Sequence, residues 1–269
     1  MFKHLLVSNR FLHKTSYKGV FSKCSLSLNA SFQKANISRC VIKPLTPDYA
    51  EQATILTSLT FSQSEPVNNA LGYSPMDFYP FAKSLVSTAC EQGLGTVAVD
   101  RDSGMVVATV YSEDFVKGML SGPNYDVNKY RVIDALLGQL LDKYFSNPPQ
   151  ETGSLSHNLQ TLITPEHVGK IAHVCIAGTY GFYASKGLMV HLAEAHLEQC
   201  KSQGYEQAFV ECSGEYSRRV FYKLGFATKS KIIYDEFEMK DENGQVIRPF
   251  AGKIPKPHSS INMVWKYKL

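Results

Sequence analysis

Lys186 and Gly187 sit in the turn of TYGFYASKGLMVHLAEAHL (Thr179 to Leu197), where a strand-like run gives way to helical periodicity. A helix start leaves its first amide N–H groups unpaired at the positive end of the dipole, so such a turn can hold an anion. Gly187 would admit a phosphate close to the backbone, and Lys186 would add charge. The same residues also suit a plain strand-to-helix corner, because one glycine alone is a weak phosphate signal. Upstream, His173 and Cys175 alternate along IAHVCIAGT. His173 can serve as a base or as a hydrogen-bonded core histidine. Glu65, in the polar segment FSQSEPVNNALG, is either a solvated loop carboxylate or one whose pKa is raised by burial under Phe61 or Tyr73. Ser213 and Ser217 bracket the start of EYSRRVFYKLGF, where Ser213 suits a helix N-cap and Tyr222 a core position. Cys24, Cys40, Cys90, Cys175, Cys200 and Cys212 have no metal-ligand spacing, and His191 and His196 diverge by about 140° around one helix. Neither a metal site nor a disulfide framework is expected.

The elements that must position these residues follow from periodicity and punctuation. CVIKPLT predicts a strand, and Pro47 and Asp48 open a helix through about Leu59. TFSQSEPVNNALGYSP reads as a loop, and MDFYPFAKSLVSTACEQG as a helix ending at Gly93. Two apolar runs around Asp102-Ser103-Gly104 predict a hairpin. Residues 116–170 read as an insertion holding one helix near Lys129–Tyr144. A strand, a helix ending near Gly204, the strand EQAFVEC, a helix closed by Gly225, and the strands TKSKIIYDEFEM and INMVWKYKL complete the chain. The acidic residues of YDEFE, alternating with a β period, would face an amine-binding mouth or lie on an exposed edge.

Charge divides the chain. Residues 1–40 hold seven Lys and Arg and no acidic residue, whereas the remainder holds 21 basic against 24 acidic residues. The near-neutral body argues against a nucleic-acid partner. The Ser-rich, acid-free leader fits a mitochondrial or plastid transit peptide, the mitochondrial one being the expectation, with a cytoplasmic protein bearing a disordered basic tail as the alternative. No apolar run is long enough to span a membrane. Residues 41–269 are expected to form a single domain.

The strand–helix–strand–helix order ending in VFYKLGF resembles the GNAT N-acetyltransferase superfamily. Its cofactor-turn signature, Arg/Gln-x-x-Gly-x-Gly/Ala, aligns on ASKGLM with Gly187 matched, Ala184 at the basic position and Met189 at the small one. Phe221 stands where many members have a Tyr. The segment FSQSEPVNNALG is similar, at Phe61, Glu65, Pro66, Leu71 and Gly72, to the Glu-Pro motif of insect arylalkylamine (dopamine-type) N-acetyltransferases. The resemblance implies an α/β (α+β) GNAT fold: a mixed sheet of six to seven strands flanked by helices, with an insertion between strands 3 and 4. It implies acetyl-CoA as cosubstrate and transfer to a small amine, with a protein amino group as the lesser alternative, Glu65 as general base and Ser217 in proton transfer. His173 is a secondary base candidate on its own chemistry, and no Cys or Ser is visibly paired with a His in the sequence, which points to direct transfer in a ternary complex. His173, Val174, Cys175, Ile176 and Ala177 would align the pantetheine arm, and Ala184, Ser185, Lys186, Gly187, Leu188 and Met189 would hold the pyrophosphate. A catalytically silent subunit with protein partners is the alternative, motivated by Ala184, Met189 and Phe221. A side chain at 189 is expected to crowd the phosphate turn.

Overall fold

The computed structural model describes residues 37–146 and 159–269, so the leader up to residue 36, with Cys24, and part of the insertion lie outside the described residues. Strand β1 (Cys40–Pro44) leads into α1 (Pro47–Gln63), which starts on a proline whose missing N–H is one the first turn does not use. The expected loop contains a further helix, α2 (Pro66–Leu71), closed by Gly72 in the left-handed region at φ 74°. Helix α3 (Pro75–Gln92) opens with a reciprocal Ser74–Asp77 capping box. The hairpin β2 (Gly95–Asp100) and β3 (Val106–Asp114) follows, and its turn is tied by the Asp100 carboxylate, which accepts from the Asp102 and Ser103 amides at 3.0 Å each. The insertion supplies α4 (Phe115–Ser121), α5 (Arg131–Ser146) and the short α6 (Leu159–Leu162). Then come β4 (Ile171–Thr179), α7 (Leu188–Ser202), β5 (Gln207–Cys212), α8 (Glu215–Lys223) and β6 (Ala227–Ile233). A two-stranded ribbon, β7 (Met239–Lys240) with β8 (Val246–Ile247), precedes the last strand, β9 (Ser260–Lys266).

Seven strands form one mixed sheet in the order β1-β2-β3-β4-β5-β9-β6, in which only β4 and β5 run parallel. Alternation along β2 sorts its side chains by face: Ala98 packs with Leu188, Leu192 and Phe221 of α7 and α8, whereas Val97 and Val99 pack with Leu56 and Val86 of α1 and α3. A third cluster joins α5 to β5 and β9 through Tyr144, Trp265 and Phe209, the last two rings stacked at 4.7 Å. No helix of the described residues is long and apolar enough to cross a membrane.

Polar ties also cross this core. His196 of α7 is fully buried, with Nδ1 3.1 Å from Thr96 Oγ1 and Nε2 2.7 Å from Ser112 Oγ. Because the Thr96 hydroxyl donates to Gln199 Oε1 at 2.6 Å, it accepts from the ring, so the proton resides on Nδ1 and Ser112 donates to Nε2. Burial drives the pKa of this histidine down to about 3.

Two boundaries differ from expectation. The first helix runs past Leu59 to Gln63, because Ser58 and Ser62 return their hydroxyls to carbonyls a turn back and so cost the helix no polar group. The strand expected through YDEFEM leaves the sheet at Ile233, where Tyr234–Glu236 turn once and bury Tyr234 and Phe237. Those two rings fill the third cluster, a gain that extended pairing would forgo.

The α1–β2 junction is tight enough to test. A Cβ on Gly95 would lie 2.6 Å from Leu45 Cβ and Cδ2, with Leu45 itself buried. Gly95→Ala is expected to destabilise the fold by about 1–3 kcal/mol, read as a lowered denaturation midpoint with an unchanged m-value.

Candidate active site

Strands β4 and β5 pair at only three positions, Ile171 with Gln207, Ala172 with Ala208 and His173 with Phe209. Beyond them β5 continues against β9 and β4 against β3, so the two parallel strands part. Backbone groups on the β5-facing edge of β4 thereby lose their neighbour, although they remain in a strand conformation suited to an added extended chain. A bulge at Cys175, between the pairs Tyr111–Ile176 and Ser112–Val174, bends β4 at the same place. It also switches faces: Val174 joins the α7 side of the core, and Ile176 the α1–α3 side. His173 and Cys175 are thus both turned toward one cavity.

That cavity, of about 180 Å³, is walled by Phe61, Phe78, Phe81 and Tyr125 and has Glu65, Glu113, His173, Cys175, Glu211 and Ser213 on its lining. Phe61 and Phe78 stack at 5.5 Å, and Tyr125 stands edge-on to Phe81 at 4.8 Å. Glu65 is half-buried and is no free loop residue: as N-cap of α2, its Oε1 accepts from the Val67 amide at 3.0 Å and its Oε2 from the Asn68 amide at 2.6 Å. Burial raises the pKa of its carboxyl, while the nearby Ser213 hydroxyl and the two amides work against the rise. Carboxylate oxygens carry about four lone-pair sites, so a capping Glu65 still has capacity for a proton.

His173 is held on both sides. Its Nε2 lies 2.7 Å from Glu211 Oε2, its Nδ1 lies 3.2 Å from Glu113 Oε1, and its ring stacks on Phe209 at 4.6 Å. Burial favours the neutral ring, but Cys175 and the two carboxylates outweigh it and set its pKa well above the ordinary value. The Glu113 carboxyl is correspondingly lowered: contact with His173 overcomes its burial. In sequence no cysteine is visibly paired with a histidine, yet Cys175 Sγ comes within 3.8 Å of His173 Nδ1. Burial pushes that thiol up to about 11, so it stays protonated at neutral pH.

The remaining candidates fall elsewhere. Ser217 Oγ donates to Gly214 O at 2.8 Å at the start of its own helix, and it is Ser213 that reaches the cavity. Ser213 does not cap α8; the His258 imidazole does, its Nδ1 accepting from the Glu215 amide at 3.0 Å. This packing is close enough that a Cβ on Gly214 would meet His258 Nδ1 at 3.3 Å. Tyr222 is exposed with Arg218 over its ring at 4.7 Å, because Phe221 takes the core position.

At the turn after β4, Ser185 and Gly187 both adopt left-handed backbone, with φ of 61° and 84°. Gly187 is the N-cap of α7, and the Leu188 and Met189 amides of the first turn have no carbonyl a turn before them. Lys186 Nζ donates to Phe182 O at 2.7 Å. Met189 is half-buried and packs against the α7-side core cluster.

Sequence reading missed Glu113 and Glu211. A Glu inside the apolar run QAFVEC was the available signal, since an ionised side chain on a buried strand needs a partner.

No family model matches the chain. Among solved structures, it superposes with a TM-score of 0.65 on the C-terminal condensation domain of Ebony in complex with beta-alanyl-dopamine, at 15% identity over 84% of this chain and 98% of that one. Arylalkylamine N-acetyltransferase 2 from Aedes aegypti gives 0.60 at 19% identity, over 84% and 98%. The Drosophila melanogaster polyamine N-acetyltransferase gives 0.59 at 19%, over 86% and 100%. These likenesses establish the fold: a mixed α/β GNAT fold, shared with amine N-acetyltransferases.

The ion pairs at His173 give a direct test of how this site is held. Glu211 exposes only 7% of its side chain, so His173→Ala would leave a buried carboxylate without its cation. A loss of about 3–5 kcal/mol is expected, measured by denaturant unfolding, with Glu211→Gln costing less because it removes the charge as well.

Proposed function

We propose that the protein is an acetyl-CoA-dependent N-acetyltransferase that acetylates a small amine bearing an aromatic or other apolar group, by direct attack with both substrates bound. The observation that carries this reading is the Glu65 carboxyl, half-buried and raised in pKa, opening into an aromatic-walled cavity where β4 and β5 part. The reaction requires that the thioester be held, that a proton be taken from the ammonium, and that the tetrahedral oxyanion be stabilised. In this reading the pantetheine arm lies along the unpaired edge of β4 from His173 to Ala177, as an added strand would. Amides from Ala184 to Met189 hold the pyrophosphate.

Glu65 receives the amine proton, directly or through a water, and Ser213 takes the place beside it that the family resemblance gave to Ser217. His173, ion-paired to Glu113 and Glu211, holds the parted strands in register and is not the base. Direct transfer is supported by Cys175, whose protonated thiol is a weak nucleophile. Three carboxylates against one imidazolium favour a cationic guest, and the aromatic walls favour an apolar tail on it. The arylalkylamine and polyamine acetyltransferases that share the fold act on amines, in keeping with this choice. The silent-subunit alternative rests on Ala184, Met189 and Phe221; of these, Phe221 is buried in the α7-side cluster and Met189 packs against it.

Calorimetric titration with acetyl-CoA is the first test, with micromolar binding expected; absence of heat at millimolar ligand would overturn the proposal. Glu65→Gln should lower kcat about 10²-fold or more while leaving acetyl-CoA affinity within about twofold, and should cost about 1 kcal/mol of stability through the lost cap. A base must be ionised to act, so activity should fall as pH drops through the raised Glu65 pKa, placing the acid limb above 4.5, and the variant should lose that limb. Phe81→Ala should raise KM for an arylalkylamine about tenfold with kcat nearly kept, the signature of lost uniform binding.

A further inference from the structure

Glu113, His173 and Cys175 belong to three different positions of the sequence pattern, yet their ligand-type atoms all lie within 4.8 Å of one another. We propose that they form a zinc-binding site on the wall of the cavity, with Glu113 Oε1, His173 Nδ1 and Cys175 Sγ as ligands. The distances carry the argument. Usual zinc bonds of about 2.0–2.1 Å to nitrogen or oxygen and 2.3 Å to sulfur, at tetrahedral angles, put N and O about 3.3 Å apart and N and S about 3.6 Å apart. Here His173 Nδ1 is 3.2 Å from Glu113 Oε1 and 3.8 Å from Cys175 Sγ, each within a few tenths of an ångström of the zinc value, and the third pair, Glu113 with Cys175, lies within 4.8 Å.

The surroundings are those a metal-bound imidazole needs. Its other nitrogen, Nε2, lies 2.7 Å from Glu211 Oε2, which fixes the ring and raises its donor strength. Phe209 stacks on the ring with the planes 3° apart, and Phe115 meets its edge at 6.3 Å, so the imidazole cannot swing away. The bulge at Cys175 is what turns the thiol toward the same side as His173. Gly118 of α4 gives the Glu113 carboxyl its room, because a Cβ there would stand 3.2 Å from Glu113 Cδ. A thiolate, an imidazole and a carboxylate together select a borderline-soft ion such as zinc over magnesium or calcium. Binding releases the Cys175 thiol proton and the Nδ1 proton to solvent, leaving two negative ligands to neutralise the ion at the cavity wall.

The inference does not depend on the proposed acetyl transfer, and its test reads binding alone. Metal-stripped full-length protein is titrated with Co²⁺, followed by absorbance, and then with Zn²⁺ against a chromophoric chelator. One equivalent of cobalt is expected to give a thiolate-to-metal charge-transfer band, displaced by one equivalent of zinc. Cys175→Ser should abolish the band, and Glu113→Gln, which keeps the side-chain shape, should weaken zinc binding about tenfold or more. Cys24→Ser and Cys40→Ser should leave both signals in place, and cooperative unfolding of every variant checks that it is folded. Absence of the band in the parent protein, or its persistence in Cys175→Ser, overturns the site.

Discussion

The site depends on a parallel pairing that stops after three residues. A parallel ladder between β4 and β5 would satisfy both strands and leave no groove, so the structure must give each strand another partner: β3 for β4, β9 for β5. The aromatic stack Phe209–Trp265 keeps β5 on the β9 side, and the bulge at Cys175 bends β4 the other way. The unpaired edge created in this manner is a cost unless an extended ligand or water meets it. Everything placed near the opening, from the α7 turn to the capped start of α2, is organised around that edge.

A second constraint is that the cavity's acidic groups are all structural members too. Glu65 caps α2, and Glu113 and Glu211 clamp His173. Each carboxylate is thereby fixed in direction by bonds it makes for folding, which is the condition under which a charged group can act without reorganising. The aromatic wall then lowers the local dielectric and strengthens every one of these interactions. The helix found where a loop was expected around Glu65 starts on the amides this carboxylate accepts from.

Much of this was legible in the sequence, for identifiable reasons. The hairpin at Asp102–Gly104, the helix beginning at Leu188 and the succession of strands and helices around it follow from periodicity and turn residues, which act locally. The Glu-Pro segment drew attention to Glu65, which lines the cavity, but its capping bonds span only two or three residues and were hidden by the loop-like composition of SQSEPVNNALG. Partnerships across long separations were illegible: Glu113 and Glu211 reach His173 from strands 60 and 38 residues away. Likewise Ser213 looked like the cap of α8 because the actual acceptor, His258, arrives from 43 residues downstream. The strand expected through Asp235 and Glu236 failed because burial of Tyr234 and Phe237 overrode the alternation of their acidic neighbours.

The buried imidazole of His196 couples this fold to proton concentration. Folded, it accepts a proton only near pH 3; in an unfolded chain it would do so at its ordinary value of 6.5. The unfolded ensemble therefore binds the additional proton throughout that interval, and by linkage each step down in pH favours it. Above about 6.5 the neutral ring contributes its two hydrogen bonds at no protonic cost. The core thus carries its own acid threshold, set by an α7 residue bonded to Ser112, the chain neighbour of the cavity-lining Glu113.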